Sequence, residues 1–558
     1  MVKILVTDGV AKEGIELLRT EAEVDVSKPL DEEALLKRIP EYDGLMVRSA
    51  TKVTARCIAA AERLKVIGRA GAGVDNIDAE AATRRGIVLV NAPGGNSVAV
   101  AEHTIALLLA LARNIPQACA HVKSGGWERA RFMGTEVRGK VLGIFGLGRA
   151  GAEVAKRALA LGMKVLAYDP GVSASKAASM GVVPAEPAEV FANSDFISLH
   201  VPVTPETVGL IRRETIAMMK DGVRIINCSR GKVVDEPALV EGIKSGKIAG
   251  AALDVLASEP ALPDNPLLAL DNVIVTPHLG ASTSEAQASV AIETAKAMLA
   301  VLRGELVPNA VNVPVPSAEV FREIAPFMPL AEVLGKFASQ WSEGMIASVR
   351  VGWGGKLSSL DTRPLLSAVL KGVLSPLLGE DVNTVNAPVL TRERGIAVSE
   401  LRVADGADRA HGGGNPTEIS VETSTNKGTT SVAGVLSTRQ MPRLVQINGY
   451  RLDIAFTPYM LVCPHVDQPG IIGTVGTTLG KAGVNISEMQ VARKARGGDA
   501  IMVLGIDSPA PPEALAEIAR LAGVLSVKPV YLECAVPNGD GARMDSDSKA
   551  QVAAARGD

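Results

Sequence analysis

Three charged or ionisable side chains, two of them capable of acid–base chemistry, each stand at or just past the end of a short apolar segment. They are Arg230, Glu259 and His278. A histidine exchanges protons near neutral pH, and a carboxylate beside it fixes its tautomer. An arginine holds a carboxylate in a planar two-bond grip and polarises the neighbouring carbonyl. The set suits the proton transfer that accompanies hydride transfer between a cofactor and an oxygen-bearing carbon.

A glycine-rich turn between a predicted strand and a predicted helix offers a site for such a cofactor. The apolar run 141–145 leads into Gly146, Gly148 and Gly151, and a helical pattern follows. Gly146 would make the tight turn, Gly148 would let a pyrophosphate approach the backbone, and Gly151 would let helix and strand pack closely. The helix N-terminus would present free N–H groups to the phosphates. The alternative is an ordinary tight turn.

The strand-like segment 164–168 ends at Asp169, where a carboxylate takes the adenosine ribose hydroxyls. A 2′-phosphate at that place would meet a like charge, so Asp169 favours NAD over NADP. In an open parallel sheet, ligands collect at the carboxyl ends of the strands. We therefore expect Arg230, Glu259 and His278 to converge on the edge where the glycine turn opens.

Two further arginines stand at strand ends in the first hundred residues. Arg48 follows a predicted strand at 44–47, and Arg69 opens a glycine-rich stretch after 65–68. An arginine beside glycine-rich backbone suits an anionic substrate. A solvated surface arginine is the alternative for either one taken alone.

Composition narrows the classes of protein to consider. The 558 residues predict roughly three to four domains, and 47% hydrophobic with only 3% aromatic residues indicates cores of aliphatic side chains, as in covered parallel sheets. A net charge of −3 does not indicate binding to a nucleic acid or to an anionic membrane. Five scattered cysteines argue against a disulfide framework and against a metal site. With no leader and no membrane-length apolar run, we expect a cytoplasmic protein.

The order of five motifs resembles the D-isomer-specific 2-hydroxyacid dehydrogenases. They are GLGRAG from Gly146, the DP pair at Asp169, NCSRG ending after Arg230, DVLASEP from Asp254 and TPHLGAST around His278. The stretches VRSATKVT at 47 and GRAGAGVDNID at 68 narrow the resemblance to long members that oxidise 3-phospho-D-glycerate to 3-phosphohydroxypyruvate, the first committed step towards L-serine. It covers nearly the whole chain.

The resemblance implies residue roles. Arg230 would bind the substrate carboxylate, His278 would be the acid/base and Glu259 its partner. Asp254 would hold the nicotinamide carboxamide. The cofactor set would be Gly146, Gly148, Arg149, Ala150, Gly151, Asp169, Val201, Cys228, Ser229, Asp254, His278 and Gly280. The substrate set would be Arg48, Ser49, Arg69, Gly73, Val74 and Arg230, with Arg48 and Arg69 facing the phosphate.

The resemblance also implies an α/β architecture. A Rossmann-type NAD-binding domain, residues 98–284, would be inserted in a flavodoxin-like substrate domain made of 1–97 and 285–313. An α+β intervening allosteric domain at 314–457 and a ferredoxin-like ACT regulatory domain at 458–535 would follow. The polar stretch 536–558 is predicted to be disordered.

The ACT resemblance rests on DQPG at 467–470 and GKAGVNI at 480–486, within a βαββαβ pattern. In the family an effector amino acid binds where two such units meet. Asp467 and Asn485 match the effector positions, and L-serine is the expected effector. His465 stands where some serine-inhibited members carry tyrosine. A homo-oligomer, dimer or tetramer, is expected.

Other functions remain open from the sequence. The chain could reduce or oxidise glycerate or another D-2-hydroxy acid, or it could be a non-catalytic NAD(H)-sensing protein on the same scaffold. Four other histidines are expected to lie outside the catalytic set: His103 structural, His121 exposed, His200 structural or near the cofactor, and His411 solvated in a loop. Cys228 is expected to pack as a small hydrophobe rather than act as a nucleophile.

Overall fold

The computed structural model describes residues 2–305, 307–379, 381–403 and 417–532. Within these ranges no single helix has the length and apolar character to cross a membrane, and only two helices bent by 64° at Asn114 meet that test as a pair. The described residues contain no cluster of three His, Cys, Asp or Glu side chains suited to a metal. The predicted loop around His411 and the predicted disordered tail lie outside the described ranges.

The first sheet is parallel and has five strands in the order β2-β1-β3-β4-β5. Its inner strands β1, β3 and β4 are short and mostly apolar because helices cover both faces, whereas the edge strand β2 alternates polar and apolar residues. The strands are β1 (Lys3–Val6), β2 (Glu23–Val26), β3 (Gly44–Val47), β4 (Val66–Arg69) and β5 (Val88–Asn91). The helices between them are α1 (Lys12–Leu18), α2 (Glu32–Arg38), α3 (Ala55–Ala60) and α4 (Ala79–Arg84). This is the flavodoxin-like order.

Two helices, α5 (Ser97–Arg113) and α6 (Ile115–Lys123), lead into a second parallel sheet of seven strands. Its strands are β6 (Val141–Phe145), β7 (Lys164–Tyr168), β8 (Val183–Pro184), β9 (Phe196–Leu199), β10 (Val223–Asn227), β11 (Ile248–Leu253) and β12 (Val273–Val275). Its helices are α7 (Arg149–Ala160), α8 (Ala174–Ser179), α9 (Pro187–Asn193), α10 (Arg213–Met218) and α11 (Glu236–Lys244). The order β12-β11-β10-β9-β6-β7-β8 is doubly wound, with its switch point between β6 and β9.

Helix α12 (Ser284–Leu302) returns to the first sheet and completes its core. Its buried side chains, including Ala291 and Met298, share one apolar cluster with Ile4, Met46 and Val66 of the sheet. The packing is close: a Cβ at position 68, which is glycine, would lie 2.7 Å from Thr294 Cγ2. The nucleotide-binding unit is therefore inserted into the flavodoxin-like one, and the predicted fold class is confirmed.

A mixed sheet of six strands follows, in the order β14-β13-β15-β16-β17-β18. The strands are β13 (Ile346–Trp353), β14 (Ala397–Arg402), β15 (Glu418–Thr425), β16 (Gly428–Leu436), β17 (Pro442–Ile447) and β18 (Tyr450–Ala455). The helices are α13 (Ala318–Ile324), α14 (Met328–Trp341), α15 (Arg363–Leu378) and α16 (Ala387–Glu393). Helices α14 and α15 and the sheet enclose a core that includes the fully buried Trp353.

The last unit is an antiparallel sheet with the order β20-β21-β19-β22, the ferredoxin-like arrangement. It comprises β19 (Tyr459–Val466), α17 (Ile471–Lys481), β20 (Ile486–Arg493), β21 (Asp499–Ile506), α18 (Pro512–Ala519) and β22 (Lys528–Tyr531). Its sheet joins the core of the preceding unit through Val462, Val503 and Val530. Lys528 Nζ donates to the carbonyl oxygen of Ser342 at 2.9 Å, just after α14 ends.

A small polar contact joins the third unit to the first. Arg84 Nε, at the end of α4, lies 2.9 Å from Glu393 Oε1 of α16. Asn383 Nδ2 donates to the Gly86 carbonyl at 2.9 Å. The six-stranded unit thus rests against the helix that follows the glycine-rich stretch after β4.

Candidate active site

The doubly wound sheet brings the predicted site residues to one edge. Strands β6, β9, β10, β11 and β12 run parallel, so their carboxyl ends lie on the same side. The glycine turn follows β6, Arg230 follows β10, Asp254 directly follows β11, and His278 follows β12. Arg48 and Arg69 occupy the equivalent ends of β3 and β4 in the first sheet.

His278 and Glu259 form a hydrogen-bonded pair. His278 Nδ1 lies 2.8 Å from Glu259 Oε2, and the two side chains are 50% and 41% exposed. Because an ionised carboxylate only accepts hydrogen bonds, Nδ1 carries the proton in this pair. The Nε2 atom of His278 is then the ring nitrogen free to exchange a proton with a bound molecule in the cleft.

Asp254 is a buried carboxylate at the centre of a hydrogen-bond network. Its Oδ1 accepts from Thr276 Oγ1 at 2.6 Å and Leu279 N at 2.7 Å, and lies 3.1 Å from His103 Nε2. Its Oδ2 accepts from Gly280 N at 2.8 Å. Burial raises the pKa of Asp254, but these hydrogen bonds outweigh it and lower the pKa to about 2. Asp254 is therefore ionised at neutral pH.

The two oxygens of Asp254 are not equally occupied. Oδ1 has three neighbouring donors, whereas Oδ2 has Gly280 N alone among the described residues. The two oxygens of an ionised carboxylate offer about four acceptor sites in all. Four donors already use these sites and the Asp254 side chain is only 1% exposed, so its contact with a nicotinamide carboxamide stays a prediction.

The glycine turn has the geometry of a pyrophosphate cradle. Gly146 has φ +90°, a conformation that favours glycine, and a Cβ there would overlap the His200 carbonyl. A Cβ on Gly151 would overlap the Gly146 carbonyl oxygen, whereas a Cβ on Gly148 would meet nothing within 4 Å. Gly148 also begins α7 as its N-cap. The open backbone thus lies at the N-terminus of a helix, where a phosphate binds.

Asp169 is held in place by the same turn. Its Oδ2 accepts from Leu147 N at 2.7 Å and its Oδ1 from Gly171 N at 2.8 Å. A cavity of about 460 Å³ lies beside it, lined in part by Tyr168, Val172, Ala177 and Glu189. The cradle, the fixed carboxylate and the cavity together fit a dinucleotide.

Arg230 crosses from the second sheet to the first. Its Nε donates to Asp75 Oδ2 at 3.0 Å, and its Nη1 donates to the Ser229 carbonyl at 2.8 Å. The absence of a side chain at Gly73 makes space for the guanidinium, since a Cβ at that position would lie only 3.1 Å from Arg230 Cζ. The guanidinium is thereby fixed in the cleft between the two sheets. The sequence motifs include Asp75 but predict no role for it, so this ion pair with Arg230 was missed.

Three arginines concentrate positive charge in this cleft. Burial, then the charges of Arg230 and Arg48, lower the pKa of Arg69 to about 10. The Nε of Arg69 is buried and has no hydrogen-bond partner among the described residues. A bound anion would relieve both the repulsion and the unpaired donor. The cluster therefore has the character of an anion site.

The other predicted contact residues lie along the same cleft edges. Ser229 donates to Asn227 Oδ1 from both its N at 3.0 Å and its Oγ at 2.8 Å. Ser49 and Arg149 are exposed, while Val74, Ala150 and Val201 are half-buried.

Four residues outside the catalytic set are placed as follows. Burial raises the pKa of the Cys228 thiol to about 12, so it remains protonated and packs as expected. Burial lowers the pKa of His200 to about 4, and its Nε2 lies 2.8 Å from Ser198 Oγ beside the glycine turn. His121 is half-buried against Phe132, with ring centroids 5.3 Å apart, rather than exposed, because the chain after α6 folds over it. His103 contacts Asp254 instead of packing only among apolar side chains.

The three predicted effector residues are each bonded within their own unit. His465 is only 2% exposed, and its Nδ1 lies 3.0 Å from the Cys463 carbonyl. Asp467 accepts from Gly497 N at 3.1 Å and Arg493 Nη1 at 2.7 Å, which lower its pKa in that order. Asn485 is exposed and donates to Asp507 at 2.7 Å.

Family models match three parts of the chain. The model of the D-isomer specific 2-hydroxyacid dehydrogenase NAD binding domain matches residues 105–280. The model of the D-3-phosphoglycerate dehydrogenase intervening domain matches residues 323–448, and the ACT domain model matches residues 459–523.

Two D-3-phosphoglycerate dehydrogenases are similar to this chain along almost its full length. D-3-phosphoglycerate dehydrogenase from Synechocystis sp. is 46% identical over 533 residues, 95% of this chain and 95% of its own. The enzyme of the same name from Methanocaldococcus jannaschii is 45% identical, over 95% of this chain and 100% of its own. The solved structure of D-lactate dehydrogenase from Aquifex aeolicus, complexed with NAD and lactic acid, matches at 31% identity and TM-score 0.51, covering 56% of this chain and 100% of that one.

The fold and the site define an NAD-dependent D-isomer-specific 2-hydroxyacid dehydrogenase. The intervening and ACT domains, with 46% identity over 95% of the chain, make the assignment more specific. The chain belongs to the D-3-phosphoglycerate dehydrogenase family. The resemblance inferred from the sequence motifs is confirmed, and so is NAD as the cofactor.

Proposed function

We propose that this protein oxidises 3-phospho-D-glycerate to 3-phosphohydroxypyruvate with NAD, the first committed step towards L-serine. The observation that carries the proposal is the cluster of Arg48, Arg69 and Arg230 in the cleft that also holds His278. A substrate with a phosphate and a carboxylate supplies two anionic groups for this cluster. A 2-hydroxy acid without a phosphate leaves the buried Nε of Arg69 unpaired.

The side chains divide the chemical work. NAD, when bound in the cradle, accepts the hydride. Arg230 binds the substrate carboxylate, and Arg48 and Arg69 bind the phosphate. His278 Nε2 takes the proton of the substrate hydroxyl, and the Glu259 carboxylate, 2.8 Å from Nδ1, stabilises the imidazolium that results. In the reverse direction, His278 returns the proton to the carbonyl oxygen.

The test is a substrate panel with two arginine variants. We expect NADH formation with 3-phospho-D-glycerate and little with D-glycerate or D-lactate. Arg69→Gln should raise KM for the phosphorylated substrate about tenfold or more, since a charge-assisted hydrogen bond contributes about 1.5–3 kcal/mol. Arg56→Gln, on the exposed face of α3, is the matched control. Equal turnover of D-glycerate would refute the phosphate assignment, and NADH binding without any turnover would favour the sensing role.

L-serine is the proposed effector of the ACT unit, bound near Asp467 and Asn485 with His465 beneath. Arg493 already pairs with Asp467 at 2.7 Å, so the serine ammonium must replace a guanidinium there. Calorimetry on the parent and on Asp467→Ala, with D-serine as the control ligand, tests the site. Absence of heat at millimolar L-serine would rule it out, and binding that survives Asp467→Ala would place the site elsewhere.

The proposal includes a cytoplasmic homo-oligomer, dimer or tetramer, with unit boundaries at 97, 284, 313 and 457. Large apolar side chains are exposed from α5 to the segment after α6: Val98 (51%), Ile115 (52%), Trp127 (75%) and Met133 (84%). Such exposure supports an interface between subunits. Light scattering on the parent and on Trp127→Ser measures the subunit number, and a parent that is monomeric at micromolar concentration would refute the proposal.

A further inference from the structure

An ionisable ring lies within the long helix that precedes the nucleotide-binding sheet. His103 is on α5, a helix whose other inward residues include Leu107, Leu108 and Leu111. Its Nε2 lies 3.1 Å from Asp254 Oδ1 and 3.2 Å from Thr276 Oγ1. An alanine or leucine, as found elsewhere on α5, would fill this position without a buried polar group. The polar contacts of His103 therefore suggest a specific role.

The chemistry of the partners fixes the direction of the hydrogen bond. Asp254 is ionised and can only accept, and Thr276 Oγ1 donates its own hydrogen to Asp254 Oδ1 at 2.6 Å. The Nε2 atom of His103 therefore carries a hydrogen and donates it to the Asp254 carboxylate. A buried carboxylate is costly to keep charged unless donors surround it. His103 supplies one of the two side-chain donors on Oδ1.

Asp254 in turn holds the backbone of three consecutive residues that begin with the acid/base. Its carbonyl accepts from His278 N at 2.9 Å, and its carboxylate accepts from Leu279 N and Gly280 N. His278 has φ +56°, a left-handed conformation that is uncommon for residues other than glycine, although histidine adopts it more readily than most. The position of the His278 ring beside Glu259 thus depends on the charge and orientation of Asp254.

We propose that His103 is a positioning residue, which orients the Asp254 carboxylate and through it the His278–Gly280 turn; this rests on the proposed function only for the choice of substrate. His103 acts through Asp254 and Thr276 and does not touch the substrate. Its loss should loosen the turn and misplace His278, which lowers kcat. The substrate-binding arginines lie on other elements, so KM for the substrate should change less.

The test compares His103→Gln with His103→Leu in the full-length protein. The Gln side chain can place an N–H donor near the Nε2 position, whereas Leu cannot. We expect kcat to fall about ten- to hundredfold in His103→Leu, the range for a small misplacement of a reacting group, with KM within about threefold. His103→Gln should stay within a few-fold of the parent. His121→Leu, a histidine of α6 away from Asp254, is the control and should leave kcat unchanged.

A second measurement is independent of turnover. Hydrogen exchange followed by mass spectrometry reports protection of the amides of Leu279 and Gly280. Protection should drop in His103→Leu and be retained in His103→Gln, whatever substrate the protein prefers. If the Leu variant does not fold, His103→Asn, which is too short to reach the carboxylate, replaces it with the same expectation.

Two outcomes would overturn the inference. One is a folded His103→Leu protein with the parent kcat and parent amide protection. The other is equal impairment of His103→Gln and His103→Leu, which would indicate a role in packing alone. Failure of the parent to oxidise 3-phospho-D-glycerate would instead refute the proposed function, while the exchange measurement would still decide the role of His103.

Discussion

Gly148 and Gly151 lie in the same turn but should fail in different ways when replaced by alanine. A Cβ on Gly151 would overlap the Gly146 carbonyl oxygen and lie 3.1 Å from its carbon. These are backbone atoms that cannot rotate away, and overpacking of this kind costs about 1–3 kcal/mol. At about 2–4 °C per kcal/mol for a domain of this size, the melting temperature of the nucleotide-binding unit should fall by roughly 2–12 °C.

Gly148→Ala should leave the fold intact and weaken cofactor binding. Gly148 has φ −68° and ψ −160°, extended backbone that alanine can adopt, and its Cβ would enter open space. Alanine is a poorer N-cap than glycine, which lowers the free energy of unfolding, but it also restricts the unfolded chain, which raises it. These two effects should cancel to within about 0.5 kcal/mol. The new methyl group would occupy the space of the pyrophosphate. Loss of one charge-assisted hydrogen bond, about 1.5–3 kcal/mol, corresponds to a Kd for NADH raised roughly ten- to hundredfold.

Both variants can be measured with the same two assays, NADH fluorescence titration and calorimetric melting. Gly473→Ala, in helix α17 of the ACT unit, also enters open space and should leave the Kd for NADH unchanged. The reasoning would be refuted by Gly148→Ala binding NADH as tightly as the parent, or by Gly151→Ala melting at the parent temperature.

Three further predictions follow from the site. His278→Ala should lower kcat about 10²- to 10⁴-fold while NADH still binds, and a kcat within a few-fold of the parent would exclude the acid/base role. Asp169→Ser should narrow the preference for NAD over NADP in kcat/KM, and a parent that uses both equally would contradict the argument from charge. Since the folded pKa of Asp254 is about 2, below its ordinary value near 4, its ionisation stabilises the fold above pH 4 and ceases to do so as pH falls through 2. The stability difference between the parent and Asp254→Asn in urea should accordingly shrink from pH 4 to pH 2.

Local patterns were sufficient for most of the two parallel sheets. Short apolar runs such as 141–145, alternating with helical patterns, favour buried strands, and the carboxyl ends of neighbouring parallel strands share an edge. The sequence alone therefore predicts that Arg230 and His278 lie at the same edge of the sheet. The two-residue strand β8 was not predicted, because it has no periodicity to detect.

Contacts between distant parts of the chain could not be predicted in this way. His103 is 151 residues from Asp254, and Asp75 is 155 residues from Arg230, so neither pairing leaves a local signal. Because His103 lies in an apolar helix, the sequence favours a structural role for it and does not predict its hydrogen bond to Asp254. The resemblance predicts that His465 faces an effector, yet its side chain is 2% exposed, and its backbone pairs with that of Val524. That pairing involves a segment that lies outside β19, so the local pattern of β19 does not reveal it.

The return of α12 to the first sheet has a consequence for synthesis on the ribosome. Strands β1 to β5 emerge first, but the helix that covers their apolar face through Ala291 and Met298 emerges only after the whole nucleotide-binding unit. Roughly 200 residues separate them, about 10–40 s of translation at about 5–20 residues per second. Throughout that interval Met46 and Val66 lack their native cover. The nucleotide-binding unit can close its own sheet during the same interval, so the first sheet to be synthesised is completed after the second.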